Sequence, residues 1–341
     1  MENKILEKRS EILFCYDVTD ANPNGDPLDS NKPRIDEETG INIVTDVRLK
    51  RTIRDYLMNF KGKEIFVREI IYDKEGHIQD AKLRARDFVE LTGDEKKEEK
   101  EIITKFKKGE KISKKYIEVI KDNIRKNIIK KAIDIRLFGA TIPLEFQQKE
   151  IIEKSNPIRS SVTLTGPIQF KMGRSLHKVE IKHIKGTGAF ASKKNAEQKT
   201  FRDEFILPYS FIVFHGIINE TAGKLTQLTD EDVNMMLDAM WNGTKNLISR
   251  SKFGQMPRLL IKITYKEKGF FIGDLEKKIK ISGVENTLKI RSIKDFTIDI
   301  SELLNVLQKN ESKVDSVDYK MDEALSVKPE IPNSWKELKL E

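Results

Sequence analysis

The loop Asp20-Ala-Asn-Pro-Asn-Gly-Asp26 has the residue types and part of the spacing of a calcium-binding loop. Aspartate, asparagine, asparagine and glycine fall at the first, third, fifth and sixth positions, as in an EF-hand. The twelfth position, which requires a bidentate glutamate, is Asn31, and Pro23 and Pro27 restrict the backbone inside the loop. Asparagine, proline and glycine are also the usual residues of plain turns. We therefore expect a structured turn here and no metal ligand.

Four aspartates near the end of one predicted strand are the other candidates for acid–base or metal-assisted chemistry. They are Asp17, Asp20, Asp26 and Asp36, and their spacing singles out none of them. The four histidines lack the spacing of zinc ligands, and no serine or cysteine lies in a recognisable nucleophile motif. We expect no catalytic residue, no metal and no cofactor, while metal-dependent RNA cleavage by one of these aspartates stays open as an alternative.

Basic side chains are concentrated in three segments. A predicted helix carries four of them within two turns, opposite an apolar stripe. Residues 172–202 interleave cations with histidine and phenylalanine, a mixture that suits phosphate contact and base stacking. Residues 249–258 place further cations around a glycine. A solvated helix face and an ordinary loop are the alternatives, but three such clusters beside predicted sheet elements indicate a nucleic-acid-binding protein.

The elements that must position these clusters follow from hydrophobic periodicity and turn residues. Strands are predicted at Ile12–Val18, Ser161–Phe170, Phe205–Ile218 and Arg258–Tyr265, and helices from about Asp46 to Phe60 and from Thr229 to Leu247. A charged block from Gly62 to about Phe138 reads as an inserted helical subdomain. This order is typical of an α+β fold with a decorated ferredoxin-like or RNA-recognition-type sheet.

The composition is compatible with this interpretation. The chain has 341 residues, 63 Lys and Arg against 55 Asp and Glu, and a net charge of +8, which weakly favours a polyanionic partner. The single cysteine, Cys15, cannot form an internal disulfide, and no stretch approaches the roughly 18 apolar residues of a membrane span. We expect a soluble cytoplasmic protein with no membrane association.

Four segments resemble one known family, the Cascade backbone proteins of CRISPR type I systems, the Cas-seven family, and within it the subtype I-B branch. They read FCYDVTDANPNGDP from Phe14, TDVRLKRTIRDYL from Thr45, TGPIQFKMGRSLH from Thr165 and SRSKFGQMPRLL from Ser249. The similarity extends from Glu11 to Tyr265. The lysine-rich insert and the tail from Lys266 contribute little to it.

The resemblance implies a modified ferredoxin-like (RNA-recognition-type) palm, a helical fingers insertion and a projecting thumb. On this chain the palm comprises 1–61, 153–172 and 204–265, the fingers are 62–152 and the thumb is 173–203. The C-terminal segment 266–341 receives no role. Copies are expected to stack in a helical filament along CRISPR guide RNA without cutting it, and target DNA is read through pairing with the guide.

We expect RNA contacts from residues of the basic clusters and of the asparagine-rich loop: Asn22, Asn24, Arg48, Lys50, Arg51, Arg54, Lys171, Arg174, His177, Lys182, Lys185, Arg250, Lys252, Gln255 and Arg258. Met172, Phe190 and Phe201 are candidates for a wedge that separates neighbouring bases. Phe201 is equally well placed to be a core residue.

The implied partners besides RNA are other Cascade subunits, namely the subunit that binds the guide 5′ handle, the large subunit and the small subunit. Two alternatives stay open. One is a type III-like backbone subunit that cleaves target RNA with a metal-dependent aspartate. The other is a solitary RNA-binding protein that never polymerises.

Overall fold

The computed structural model describes residues 4–153, 156–187 and 201–340, with the backbone alone for Thr187, Phe201 and Arg202. Its α-helices are α1 (Asp46–Asn59), α2 (Ala81–Arg86), α3 (Lys97–Lys107), α4 (Ile117–Lys131), α5 (Ile133–Phe138), α6 (Glu220–Thr226), α7 (Asp230–Lys245) and α8 (Ser301–Lys309). Together with an extensive set of strands, they confirm the predicted α+β class. No helix within the described ranges combines the length and apolarity needed to cross a bilayer.

The strands of the first half are β1 (Ser10–Ala21), β2 (Gly25–Asp26), β3 (Lys32–Pro33), β4 (Ile35–Asp36), β5 (Ile41–Val44), β6 (Gly139–Phe146), β7 (Ile158–Thr165), β8 (Ile168–Phe170) and β9 (Gly173–Lys178). Those of the second half are β10 (Lys182–Thr187), β11 (Phe201–Ile218), β12 (Gln255–Tyr265), β13 (Lys280–Ser282), β14 (Thr297–Asp299), β15 (Val314–Met321), β16 (Val327–Lys328) and β17 (Lys336–Glu337).

A ten-stranded sheet dominates one of two compact units, the one that comprises 8–56, 169–219 and 237–341. Its order is β17-β15-β12-β1-β11-β9-β5-β4, and β8 and β10 pair with β11 outside this path. The central strand β1 is antiparallel to both neighbours, with Phe14 opposite Phe214 and Leu260. Its apolar residues are buried on both faces, which is why they form a continuous run instead of an alternating pattern.

One predicted strand is divided in the structure. Residues 161–170 form the end of β7 and all of β8, with a break at Gly166 and Pro167. A Cβ at Gly166 would lie 2.0 Å from the carbonyl oxygen of Phe138, so the backbones approach each other closely there. Pro167 has no N–H group to donate to a neighbouring strand. Strand β7 pairs with β6, whereas β8 pairs with β11.

The segment predicted to be the thumb, 173–203, begins with a strand of the large sheet. Strand β9 pairs with β11 on one side and with β5 on the other. Its buried positions are Gly173, Ser175 and His177, so its inward face is small and polar and gave no hydrophobic signal. Residues 188–200 of the predicted thumb lie outside the described part of the chain.

The tail that received no role from the sequence supplies much of the core of this unit. Strand β15 extends the sheet beside β12, and Leu275, Ile298 and Leu303 are fully buried against strand residues such as Phe211. A buried charge network attaches the tail as well. The Glu11 carboxylate accepts hydrogen bonds from His215 Nε2 at 2.8 Å, the Tyr265 hydroxyl, Ile272 N at 2.7 Å and Gly273 N at 2.9 Å.

The second unit comprises 1–7, 57–168 and 220–236 and therefore contains the predicted fingers insertion. Helix α4 buries Ile120, Ile124 and Ile128 at helical spacing, as predicted, and the β6–β7 hairpin contributes Ile142 and Leu164 to the same core. Two polar contacts support this core. The buried Asp134 carboxylate accepts from Phe66 N at 2.7 Å, and Arg136 forms a bidentate pair with Asp232 at 2.8 and 2.7 Å.

Candidate nucleic-acid interface

Two loops that are distant in sequence lie side by side at one end of the large sheet. We call residues 19–31, which follow β1, and residues 246–254, which precede β12, the paired loops. Because β1 and β12 are antiparallel neighbours, the end of one strand meets the start of the other. Backbone hydrogen bonds join the loops, from Thr19 N to Gly254 O at 3.0 Å and from Asn22 N to Ser251 O at 2.9 Å. The fold thus places the asparagine-rich loop beside the basic cluster of residues 249–258.

The second of the paired loops is held in one conformation by its own hydrogen bonds. Lys252 N and Phe253 N both donate to Ser249 O, at 3.0 and 2.7 Å. The buried Gln255 amide donates to Lys252 O at 3.1 Å. Gly254 has a φ of +107°, and a Cβ there would lie 2.5 Å from Thr19 O. The position therefore requires glycine both for its backbone angle and for the close approach of the loops.

The first loop positions the helix that carries the predicted basic face. Asn24 Oδ1 accepts from Thr45 N at 2.8 Å and from Thr45 Oγ1 at 2.9 Å. Thr45 Oγ1 in turn accepts from Arg48 N at 3.3 Å, so Thr45 caps the N-terminus of α1. The asparagine of the loop therefore orients the first turn of α1, where Arg48 lies.

Arg48 and Lys252 are two cations held close together without an acidic partner. Lys252 Nζ donates to Asn22 O at 2.6 Å. Burial, and then the charge of Arg48, lowers the pKa of Lys252 to about 8. Burial likewise lowers the pKa of Arg48, whose Nη2 donates to Thr52 Oγ1 at 3.3 Å. Neither forms an ion pair with any carboxylate that the structure describes.

The same place contains polar atoms without a protein partner. Arg48 Nε and Asn22 Oδ1 are buried and form no hydrogen bond. A buried donor without an acceptor is unfavourable by about 1–3 kcal/mol unless a ligand or water satisfies it. Repelling cations and an unsatisfied guanidinium donor are the properties of an anion-binding site, and a phosphate group would supply both the charge and the acceptors.

Most of the other predicted cations are paired with carboxylates, and the paired ones are exposed except Lys50, whose side chain is 13% exposed. Lys50 pairs with Asp46 and Arg51 with Asp55 along α1, Arg174 with Asp36, Lys182 with Glu180, Arg250 with Glu204, and Lys171 with Asp274 and Glu276. Lys185 is exposed, and Arg54 is half-buried with contacts of its own. Exposed ion pairs contribute at most about 1 kcal/mol to stability. The exposed cations can therefore exchange a carboxylate for a phosphate at little cost in free energy.

Three predicted contact residues are largely buried and form contacts inside the protein. His177 donates from Nδ1 to Lys178 O at 2.8 Å and accepts at Nε2 from Phe211 N at 3.1 Å, so both ring nitrogens are used. Arg258 lies between Asp17 at 3.0 Å and Asp322 at 2.6 Å. Gln255 closes the loop turn as described above. Both ring nitrogens of His177 are therefore engaged, as are Nε and Nη1 of Arg258 and the side-chain NH₂ group of Gln255.

The four candidate aspartates lie in different environments. Asp17 is buried and accepts from the Tyr209 hydroxyl at 2.9 Å, and burial raises its pKa although Arg258 opposes the change. Asp26 pairs with Arg34 at 2.7 Å, and Asp36 with Arg174 at 3.2 Å. Asp20 is exposed, with a φ of +49°. In the described ranges, three-residue groups with metal-ligand spacing occur at Asp73, Glu75 and His77 and not in this loop.

Of the three wedge candidates, Met172 is the one whose side chain lies in the described part of the chain. Met172 is 55% exposed beside β9, where its thioether can reach a neighbouring molecule. Phe190 and the side chain of Phe201 lie outside the described residues. Sequence reasoning missed Phe253, which is 68% exposed on the second of the paired loops. The signal was present in the segment Lys252-Phe253-Gly254, where an aromatic residue stands between a cation and a turn glycine.

The close packing of the paired loops leads to a first prediction. Replacing Gly254 with alanine forces a left-handed angle on a residue with a Cβ and pushes that Cβ into Thr19 O. We expect the variant to lose about 1–3 kcal/mol of unfolding free energy and to bind single-stranded RNA more weakly. Thermal unfolding and RNA titration measure the two effects. Gly109→Ala is the matched control, since its φ is +78° but nothing lies within 4 Å of the new Cβ.

Comparison with known proteins places the chain in a family. A family model described as CRISPR-associated protein Cas7 matches residues 8–301. A CRISPR-associated protein Cas7 of Haloferax volcanii is 30% identical over 326 residues, which are 91% of this chain and 85% of that protein. A chain of a solved structure described as a CRISPR RNA-guided surveillance complex, pre-nicking, has a TM-score of 0.52 at 12% identity, with 97% of this chain and 96% of that one covered. At that identity, the likeness shows a shared fold.

Proposed function

This chain belongs to the Cas7 family of CRISPR-associated proteins, and we propose that it binds CRISPR guide RNA as the repeated, non-catalytic backbone subunit of a type I surveillance complex, of subtype I-B. The observation that carries the proposal is the pair of Arg48 on α1 and Lys252 in the second of the paired loops. Burial and the charge of Arg48 lower the pKa of Lys252, and neither cation forms an ion pair with a described carboxylate. Two adjacent, partly desolvated cations of this kind fit a phosphodiester of the guide.

A backbone subunit must hold guides of any sequence, and the site suits that task. Guanidinium, ammonium and backbone groups can bind phosphate and ribose without distinguishing base edges. The exposed ion pairs on α1, β9 and β10 add cations that can shift from carboxylate to phosphate. Target DNA is then read by pairing with the guide and not by this protein.

The proposed architecture assigns the large sheet to a ferredoxin-like palm and the 62–152 insertion to helical fingers. Residues 173–203 form a thumb that reaches an adjacent copy. Copies stack into a helical filament, with Met172, Phe190 or Phe201 as a wedge between bases. The ends of the filament meet the subunit that binds the guide 5′ handle and the large subunit, and the small subunit joins along it.

The protein's bound RNA tests the proposal. A tagged chain isolated from its host should carry repeat-derived spacer RNA, and the particle should elute from gel filtration far above the size of a single 39.5 kDa chain. RNA of random origin, or a monomer free of RNA, would instead favour a solitary RNA-binding protein.

The absence of catalysis is tested on the same particle. Complementary RNA and Mg²⁺ are added, and we expect the added strand to stay intact. Regular cuts that disappear in an Asp20→Ala variant would show a type III-like nuclease and overturn the non-catalytic proposal. Asp26→Ala is tested alongside Asp20→Ala for comparison, because the Asp26 carboxylate already forms an ion pair with Arg34.

A further inference from the structure

Phe253 is a large aromatic side chain displayed to solvent at the paired loops. It is 68% exposed, as is Ile248 of the same loop at 71%, whereas Leu259 and Ile261 of the following strand are fully buried. Isolated exposed apolar residues are common and by themselves indicate nothing. What distinguishes Phe253 is the rigidity of the loop that carries it and the charges beside it.

The loop fixes the position of the Phe253 backbone. Its N–H donates to Ser249 O at 2.7 Å, and the next residue, Gly254, accepts from Thr19 N at 3.0 Å. Ser251 O, on its other side, accepts from Asn22 N at 2.9 Å. A side chain on such a turn loses little backbone entropy when it binds a partner, because its backbone is already ordered.

The residue before Phe253 is Lys252, one of the two cations without an acidic partner. Adjacent Cα atoms are about 3.8 Å apart, so the exposed ring and the ammonium group, which donates to Asn22 O, belong to neighbouring positions of one turn. A nucleotide presents a flat base and a phosphate at a similar scale. Cationic grooves combined with aromatic platforms are what sequence-independent binders of single strands use.

We propose that Phe253 is a stacking platform for one base of the RNA whose phosphate is held by Arg48 and Lys252. This inference rests on the proposed function and adds a second chemistry to the same site. Because every base has a flat π-face, stacking adds affinity without selecting a sequence. Purines, which have the larger face, should bind somewhat more tightly than pyrimidines.

The test compares two strands of equal length and charge: a short single-stranded RNA and a strand in which abasic nucleotides replace the bases. Phe253→Ala and Phe253→Leu should each bind the RNA about tenfold more weakly than the unmodified chain. Both should match the unmodified chain on the abasic strand. Phe253→Trp should keep full affinity for RNA, since it restores a π-face.

Salt dependence separates stacking from charge. Phe253→Ala removes no cation, so the slope of log Kd against log salt should not change, whereas Lys252→Ala should lower it, by at most roughly 0.7. Ile248→Ala is the matched control: Ile248 is 71% exposed, precedes the same turn and has no π-face, so its loss should leave RNA affinity unchanged.

Three results would contradict the inference: unchanged RNA affinity in Phe253→Ala, an equal loss on the abasic strand, or an altered oligomeric state with normal RNA affinity, which would make Phe253 a contact between copies. Failure of the unmodified chain to bind either strand is a different result, because it contradicts the proposed function itself.

Discussion

Replacing both Arg48 and Lys252 with alanine should weaken binding of single-stranded RNA by about a hundredfold at ~0.1 M salt. Each cation is expected to contribute about 1.5 kcal/mol through a charge-assisted contact with phosphate. The salt slope should fall by roughly 0.7, the value for one phosphate of a single strand, because both cations hold the same phosphodiester. Titration of labelled RNA at several salt concentrations measures both quantities, and circular dichroism checks that the variant is folded.

The matched control for this variant is Arg51→Ala. Arg51 lies on the same helix as Arg48, but Asp55 holds its guanidinium at 2.7 and 2.8 Å, so its loss should weaken binding only a fewfold. If Arg51→Ala and the double variant weaken binding equally, the loss of affinity follows from total charge. Arg48 and Lys252 would then not form a distinct phosphate-binding site.

Binding should also respond to pH through Lys252. Its pKa near 8 means that the ammonium is charged below pH 8 and loses its proton above it. We expect RNA affinity at constant salt to fall as the pH rises from 7 to 9, and Lys252→Ala to lack this decline. A lysine at the ordinary pKa of about 10.4 would show no change over this range.

Replacing Glu11 with glutamine should destabilise the protein by about 3–5 kcal/mol, as breaking a buried ion pair does. Each carboxylate oxygen accepts two hydrogen bonds, from His215 and Gly273 N on one oxygen and from Tyr265 and Ile272 N on the other. The glutamine side chain has one oxygen and one NH₂ group, so its NH₂ group would face two hydrogen-bond donors. Denaturant unfolding measures the loss of stability. Hydrogen exchange at Ile272 and Gly273 shows whether the tail detaches first.

An exposed pair serves as the control for this variant. Asp315 contacts Lys8 at 2.7 Å on the surface, so Asp315→Asn should change stability by less than about 1 kcal/mol. Equal stability of Glu11→Gln and the unmodified chain would show that the tail is held by apolar packing alone.

The pH dependence of this network has a definite sign. Burial raises the pKa of Glu11, but hydrogen bonds from His215 and Tyr265 outweigh it and lower the value. Burial lowers the pKa of His215, but Glu11 and Glu276, the latter 3.0 Å from Nδ1, raise it above 6.5. Glu11 therefore stabilises the fold above pH 4.5 and less as the pH falls. His215 stabilises it below pH 6.5 and loses this effect as the pH rises through its folded pKa. The penalty of Glu11→Gln should be largest between these limits.

The central strands and the main helices could be predicted because apolar burial leaves a period in the sequence. Ile12–Val18 lies within β1, and the helix predicted from Asp46 is α1. Phe60 was assigned to the apolar stripe of that helix but lies beyond its end and is exposed. Strand β9 and the tail could not be predicted in this way, because short elements and small polar residues carry no clear period.

The residue types of the candidate site could be predicted from the sequence, but their geometry could not. Asparagine and cation clusters indicated two loops that the fold places side by side. Residue types alone could not show that Arg258 is buried between two aspartates or that His177 is enclosed by backbone groups. Those outcomes depend on partners far away in sequence, such as Asp322 and Phe211. The same long-range packing left Arg48 and Lys252 without acidic partners.

The position of β1 at the centre of the sheet constrains how the chain can be synthesised and folded. Phe14 pairs with Phe214, 200 residues later, and with Leu260 on the other side. At about 5–20 residues per second, a ribosome needs roughly 10–40 s to deliver the first of these partners. During that interval an apolar strand with two open edges is exposed on the nascent chain. Newly made protein should therefore depend on chaperones for β1, while the helices and hairpin of residues 57–168, whose contacts are local, can fold as they emerge.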